Sequence, residues 1–271
     1  MKICFIGGGN MATALIGGLL AQGFQAENLS VVEINAEHRT RLSAEFGVRC
    51  AADLAAGIAG SDAILLAVKP QQLQAVALEL APLLTGQLLI SIAAGIRASD
   101  LARWSKSAAV VRAMPNTPAL IQSGMTGLFA LPNVSAAQRT QAEQILAAVG
   151  KTLWLQDETM LDAVTAISGS GPAYVFYLIE ALQSAAMELG FNPADARLLS
   201  QETFLGAAKL AISSPDEVAV LRQRVTSKNG TTERALLSLE ANQVKQHISL
   251  AAHAAAARSR EMGDELGSAS C

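Results

Sequence analysis

The chain opens MKICFIGGGNMATALIGGLLAQG, Met1 to Gly23. A lysine, an apolar run and then small residues could form a secretion signal. They could instead form a buried strand, a glycine turn and a helix. A signal needs an uninterrupted apolar core and a cleavage site, yet Gly7, Gly8, Gly9 and Asn10 break the run after Ile6. The preferred reading is a G-x-G-x-x-A turn, Gly7-Gly8-Gly9-Asn10-Met11-Ala12, that leaves a strand and opens a helix. In such a turn Gly7 permits the tight reversal and Gly9 lets backbone approach a pyrophosphate. Ala12 lets the helix lie close on the strand, and the helix N-terminus offers free N–H groups and partial positive charge. A glycine turn with no ligand is the competing reading. The strand before it, the helix after it and a second strand beyond favour a dinucleotide, with Ile6 through Ala12 in contact.

Composition narrows the classes. The 271 residues are 51% hydrophobic and 16% charged, with a net charge of -3. That is enough chain for one large or two ordinary domains. It carries no basic surplus for nucleic acid and no polybasic run for a membrane surface. No stretch has the roughly 20 apolar residues needed to span a bilayer. Cys4, Cys50 and Cys271 have neither metal-ligand nor redox spacing and suit a reducing cytoplasm. His247 and His253, six residues apart, do not share a helix face, so no metal site is expected.

The first half alternates. Ile3 to Ile6, Leu29 to Ile34, Ala63 to Val68 and Leu88 to Ile92 read as strands. Met11 to Ala21, Ala36 to Phe46 and Gln71 to Leu83 read as helices. Continuous apolar strands separated by helices imply a parallel sheet covered on both faces. "AAVVRAMP", "GMTGLFALP" and "KTLWL" read as further strands, with a helix capped by Ser135 before the last. After about Leu161 strand patterns vanish. Helices follow at roughly Ala173 to Leu189, Pro193 to Ile212, Asp216 to Gln223, Thr232 to Leu239 and Val244 to Met262, with a fraying tail after Leu266. An α/β domain, 1–158, thus precedes an all-α domain, 159–271.

Glu33 lies roughly 20 residues past the glycine turn, where a carboxylate bonds the adenosine ribose and favours NAD. Arg39 and Asn35 could instead hold a 2′-phosphate and favour NADP. A solvated Glu33–Arg39 pair is the plainer alternative. "AVKP", Ala67, Val68, Lys69 and Pro70, ends a strand at the crevice edge, although Pro70 equally suits a helix start. "SIAAG" ends the next strand in Ala93, Ala94 and Gly95, small enough to admit a nicotinamide ring or simply to pack tightly. In "MPNTP", Asn116 can bond backbone or cofactor. "SGSGPAY" reads as a glycine-rich turn into the longest helix.

"FIGGGNM", "AVKP", "SIAAG", "VRAMPNTPA", "ISGSGPAYVF" and "VTSKNGTT" occur in that order, and together resemble pyrroline-5-carboxylate reductase over nearly the whole chain. The resemblance implies a Rossmann-like dinucleotide-binding domain followed by a helical dimerisation domain. It implies NADP or NAD as cofactor, a homodimer that can assemble into decamers, and 1-pyrroline-5-carboxylate as substrate, reduced to L-proline. It places cofactor contacts on Ile6 to Met11, Ala67 to Pro70 and Ala93 to Gly95, and substrate near Ser227 to Thr232. The family usually reads S-P-G-G-T-T or S-P-G-G-A-T there; this chain reads Ser227-Lys228-Asn229-Gly230-Thr231-Thr232. Asn229 is the best non-glycine residue for a positive φ. Relatives often carry Ser or Thr at Glu33.

A cyclic iminium is a strong electrophile, so its reduction needs orientation more than acid–base groups. Consistently, no His, Lys or Tyr lies in an acid–base motif. A related 3-hydroxyacid dehydrogenase would need a lysine that "ISGSGPAYVFYLIEAL" lacks. Thr232 is the expected catalytic hydroxyl, bonding the ring nitrogen, with Gly230 and Thr231 cradling the substrate carboxylate. Helix N-capping would occupy these threonines without any substrate. "YVFYLIEALQSAAM" is apolar nearly all round, which a partner subunit could bury.

Overall fold

Every residue of β1 (Ile3–Ile6) is buried. The same holds for β2 (Leu29–Val32), β4 (Ala63–Leu66) and β5 (Leu88–Ser91), which explains their unbroken apolar runs. The structure, a computed structural model, describes residues 1–267; the rest of the tail expected to fray lies outside the described residues. Helices alternate with the strands: α1 (Asn10–Ala21), α2 (Ala36–Phe46), β3 (Arg49–Ala51), α3 (Leu54–Ile58), α4 (Pro70–Leu80) and α5 (Ala98–Ser105) precede β6 (Val110–Met114). The short elements β3, α3 and α5 escape the periodicity of the sequence, having too few residues to establish a period. Then come β7 (Gly124–Ala130), α6 (Ala136–Ala147), β8 (Gly150–Trp154) and α7 (Met160–Val164). Ser135 caps α6 in a capping box with Gln138.

The strand order is β3-β2-β1-β4-β5-β6-β7-β8. The first six strands pair in parallel in the Rossmann order. The sheet is not parallel throughout: β7 runs antiparallel to β6. The connection between Met114 and Gly124 is too short for a parallel crossover, which takes a dozen or more residues.

Alternation along each strand builds two cores. Ile3, Phe5, Val31, Leu65 and Ile90 face one side, with Leu15 and Leu19 of α1 and Ile145 of α6. Cys4, Ile6, Ile64, Leu66 and Leu89 face the other, with Leu73 of α4 and Leu101 and Trp104 of α5. Each large apolar side chain so buried contributes about 1.5–3 kcal/mol. Burial also pushes the Cys4 thiol up to about 11, so Cys4 behaves as a core side chain.

Compactness divides the chain into two units. One is Met1–Ser170 with the described part of the segment from Ala254; the other is Gly171–His253. The last helix, α12 (Val244–Gly267), therefore begins in the second unit and ends in the first. In the first unit Ser259 donates to Asp162 at 2.7 Å, and Arg97 pairs with Asp264. The second unit holds α8 (Gly171–Glu188), α9 (Pro193–Ser213), α10 (Val218–Arg224) and α11 (Thr231–Ala241). Asn192 caps α9 and Pro193 takes its first position.

Two expectations need correction. "SGSGPAY" is not a loop-like turn: Thr165–Gly169 winds as a π-helix that leads into α8. Nor is α8 the longest helix, since α9 and α12 are longer. Within Gly171–His253, Ala196 is the one apolar side chain fully buried among the described residues. Phe176, Tyr177 and Ile212 are 65%, 71% and 85% exposed in the single chain. Among the described residues no helix is long and apolar enough to cross a membrane.

A largely buried ion pair joins β6, the start of α5 and the segment before α7. Arg112 of β6 donates to Glu158 at 3.0 Å, their side chains 7% and 20% exposed. The same carboxylate oxygen accepts from Ala98 N–H, at the start of α5. Removing one partner of a buried pair strands the other charge, at about 3 kcal/mol. Glu158→Ala is therefore expected to lower stability by that order in urea denaturation. Asp264→Ala, at an exposed pair, is expected to cost under about 1 kcal/mol. Equal losses in the two variants would contradict this account.

Candidate active site

The carboxyl ends of β1 and β4 meet where the strand order reverses. Ala67 N–H donates to the Ile6 carbonyl and Gly7 N–H to the Val32 carbonyl, each at 2.8 Å. Gly7 has φ +100°, and a Cβ on it would lie 2.8 Å from the Ala67 carbonyl oxygen. Only glycine fits. Gly9 differs: it has extended backbone as N-cap of α1, and a Cβ there would meet nothing within 4 Å. The fold itself does not require glycine at that position. The open space lies at a helix N-terminus without a side-chain cap, which is where a pyrophosphate would be held. Gly9 and Asn10 are exposed, Met11 half-buried and Ala12 fully buried, so Ala12 serves packing and the first two face outward.

Glu33 is not a solvated partner of Arg39. Its carboxylate accepts from Gly8 N–H at 3.0 Å and from Asn35 N–H at 2.9 Å. The strand end, the glycine loop and the start of α2 thus share one carboxylate. Arg39 donates to the carbonyls of Glu33 and Ile34 at 2.7 and 2.9 Å. Asn35 caps α2 by accepting from His38 N–H. Beside them Ile34 is 83% exposed, an apolar surface that the strand pattern of the sequence hides.

Other expected contacts separate into lining and support. Val68 is half-buried, Lys69 is exposed and is the N-cap of α4, and Pro70 takes the first helical position. In "SIAAG" the tight-packing alternative holds for two residues. Ala93 is buried, and a Cβ on Gly95 would lie 3.0 Å from Met262 Cβ. Ala94, like Ile92, is half-buried. Asn116 bonds backbone: it donates to the Ser168 carbonyl at 3.0 Å and accepts from Met125 N–H at 2.9 Å. It ties the π-helical segment to β7.

In the second unit, α11 starts at Thr231 with Gly230 as its N-cap, one residue earlier than expected. The threonines are therefore not caps. The amides and hydroxyls of Thr231 and Thr232 have no hydrogen-bond partner among the described residues, and both residues are exposed. Asn229 has φ +56°, as its residue type suggested. Its N–H donates to Glu233 at 2.7 Å. Glu233 was missed in the sequence, although an acid three residues past an N-cap is a recognisable signal.

Gly9→Ala tests the first site. The extended backbone and empty surroundings predict an unchanged melting temperature, while dinucleotide affinity falls at least about tenfold through crowding of the backbone amides. Unchanged affinity in fluorescence titration would leave the glycine turn without a ligand.

Residues 158–262 match the family described as pyrroline-5-carboxylate reductase dimerisation, and residues 2–95 the family described as NADP oxidoreductase coenzyme F420-dependent. A pyrroline-5-carboxylate reductase of Pseudomonas aeruginosa is 48% identical over 268 residues, 98% of this chain and 98% of that one. A solved pyrroline-5-carboxylate reductase from Coxiella burnetii has a TM-score of 0.92 at 40% identity, covering 96% of this chain and 98% of that one. The Plasmodium falciparum pyrroline carboxylate reductase, solved with NADP bound, has a TM-score of 0.86 at 29% identity, covering 97% and 98%. Identity at this level over nearly the full length settles the family: the chain belongs to the pyrroline-5-carboxylate reductases.

Proposed function

We propose that the chain is an NAD(P)H-dependent oxidoreductase that reduces the C=N bond of 1-pyrroline-5-carboxylate to give L-proline, the final step of proline biosynthesis. Family membership over nearly the whole length supports the activity. The observation that carries it is the start of α11, where two amides and two hydroxyls are exposed and have no hydrogen-bond partner among the described residues.

A reduced nicotinamide, when bound, supplies the hydride. The residues of the chain bind and orient. The Thr231 and Thr232 amides, at the positive end of α11, hold the substrate carboxylate. Gly230 keeps that approach free of a side chain. The Thr232 hydroxyl accepts from the ring N–H of the iminium and fixes the plane of the C=N bond. The ring nitrogen keeps its proton and becomes the secondary amine, so a protonated substrate needs no acid or base from the protein. Orientation alone is worth roughly several powers of ten in rate. In the first unit the uncapped start of α1 at Gly9 and Asn10 receives the pyrophosphate, the Gly7 and Gly8 amides being held by Val32 and Glu33, and Glu33 faces the adenosine ribose. Both NADPH and NADH serve this reading; the Plasmodium relative holds NADP.

The chain acts as a homodimer, which can assemble further into decamers. The exposed apolar side chains of Gly171–His253 support a partner on that unit. Free Cys4 and Cys50 suit a reducing cytoplasm.

Two variants test the roles. Thr232→Ala is expected to cut kcat/KM for the imine about 10- to 100-fold while cofactor affinity stays within about twofold; an unchanged rate would remove Thr232 from the site. Glu33→Ser removes a negative charge where a 2′-phosphate would sit. It should raise the NADPH:NADH ratio of kcat/KM about tenfold, and an unmoved ratio would mean that Glu33 faces away from the ribose.

A further inference from the structure

The loop Ser227–Thr232 is held by a residue outside it. Gly230 N–H closes a four-residue turn on the Ser227 carbonyl at 3.0 Å. The third residue of that turn, Asn229, is left-handed at φ +56°. An L-residue other than glycine holds that conformation only at a cost, smallest for asparagine and aspartate. A Cβ on Gly230 would crowd the Ser227 carbonyl oxygen at 3.0 Å. As N-cap it also brings no side chain to the first turn of α11. The directions of the Thr231 and Thr232 amides and of the Thr232 hydroxyl therefore depend on the turn, and the turn depends on Asn229 staying left-handed.

Glu233 supplies the restraint. It is the third residue of α11, the position from which an acidic side chain reaches back over a helix start. The Gly230 N–H is already taken by Ser227, so the carboxylate takes the next amide back, Asn229 N–H, at 2.7 Å. A carboxylate is otherwise an unfavourable neighbour for an anionic substrate. Its engagement with Asn229 gives its presence a reason.

We infer that Glu233 is a positioning residue for the substrate loop: it fixes Asn229 in the left-handed conformation and so aims the Thr231 and Thr232 groups at the carboxylate and ring nitrogen of a cyclic imino acid. This rests on the loop being the substrate site, as proposed above.

The test compares wild type, Glu233→Ala, Glu233→Gln and the double variant Glu233→Ala/Asn229→Gly, all as full-length enzyme. The readouts are steady-state kinetics with 1-pyrroline-5-carboxylate, cofactor titration and hydrogen exchange across 225–234. Glu233→Ala should raise KM for the imine about tenfold, leave cofactor affinity within about twofold, and speed exchange in the loop. Glu233→Gln keeps an acceptor and should bring KM back to within about threefold of wild type. Asn229→Gly should rescue Glu233→Ala to a similar degree, because glycine adopts positive φ without help. An unchanged KM in Glu233→Ala, a loss shared equally with cofactor affinity, or no recovery in the double variant would overturn the inference. A wild type inactive on the imine would instead defeat the proposed function itself, so the two failures are distinguishable.

Discussion

The carbonyl oxygen of Ala67 occupies the space that a Cβ on Gly7 would need, at 2.8 Å. Beside this close approach, Ala67, one residue past the end of β4, still donates to Ile6, the last residue of β1. The rest of the first site is built on it. Gly8 is placed to donate to Glu33, so the second strand is tied to the glycine loop. Gly9 then opens α1 with its amides uncapped and nothing beside it. Substituting Gly7 would therefore disturb three strand ends at once, whereas Gly9 stands free of the packing. The two glycines of one motif differ: packing demands the first and leaves the second free.

Much of this was legible in the residues. Continuous runs of Ile, Val and Leu mark strands buried on both faces, and Ser135, Asn192 and Pro193 act at helix starts as their chemistry suggests. What escaped has physical reasons. β3 and α3 are too short for a period, and the reversal of β7 depends on connection length and not on strand composition. The π-helical Thr165–Gly169 segment looks like a turn because glycine and serine usually mark one. Its Ser168 carbonyl is taken up by Asn116, 52 positions away. The Glu33 side chain bonds backbone across 25 positions, and such contacts leave no trace in local spacing.

The helical unit presents the opposite case. Its sequence is apolar enough for a core, yet the single chain buries almost none of it. Hydrophobic burial of about 25 cal/mol per Å² is left unrealised on α8 and α9. Self-association is the physical means of realising it, in keeping with the dimerisation family matched over 158–262. The same unit presents the exposed start of α11, held in shape by local bonds among Ser227, Asn229, Gly230 and Glu233.

The most direct measurement follows the absorbance of the reduced nicotinamide as purified protein meets 1-pyrroline-5-carboxylate, run in parallel with NADPH and NADH. The account predicts rapid oxidation with at least one of them, with L-proline formed in equal amount. A protein that binds the dinucleotide yet oxidises neither form in the presence of this imine would contradict it.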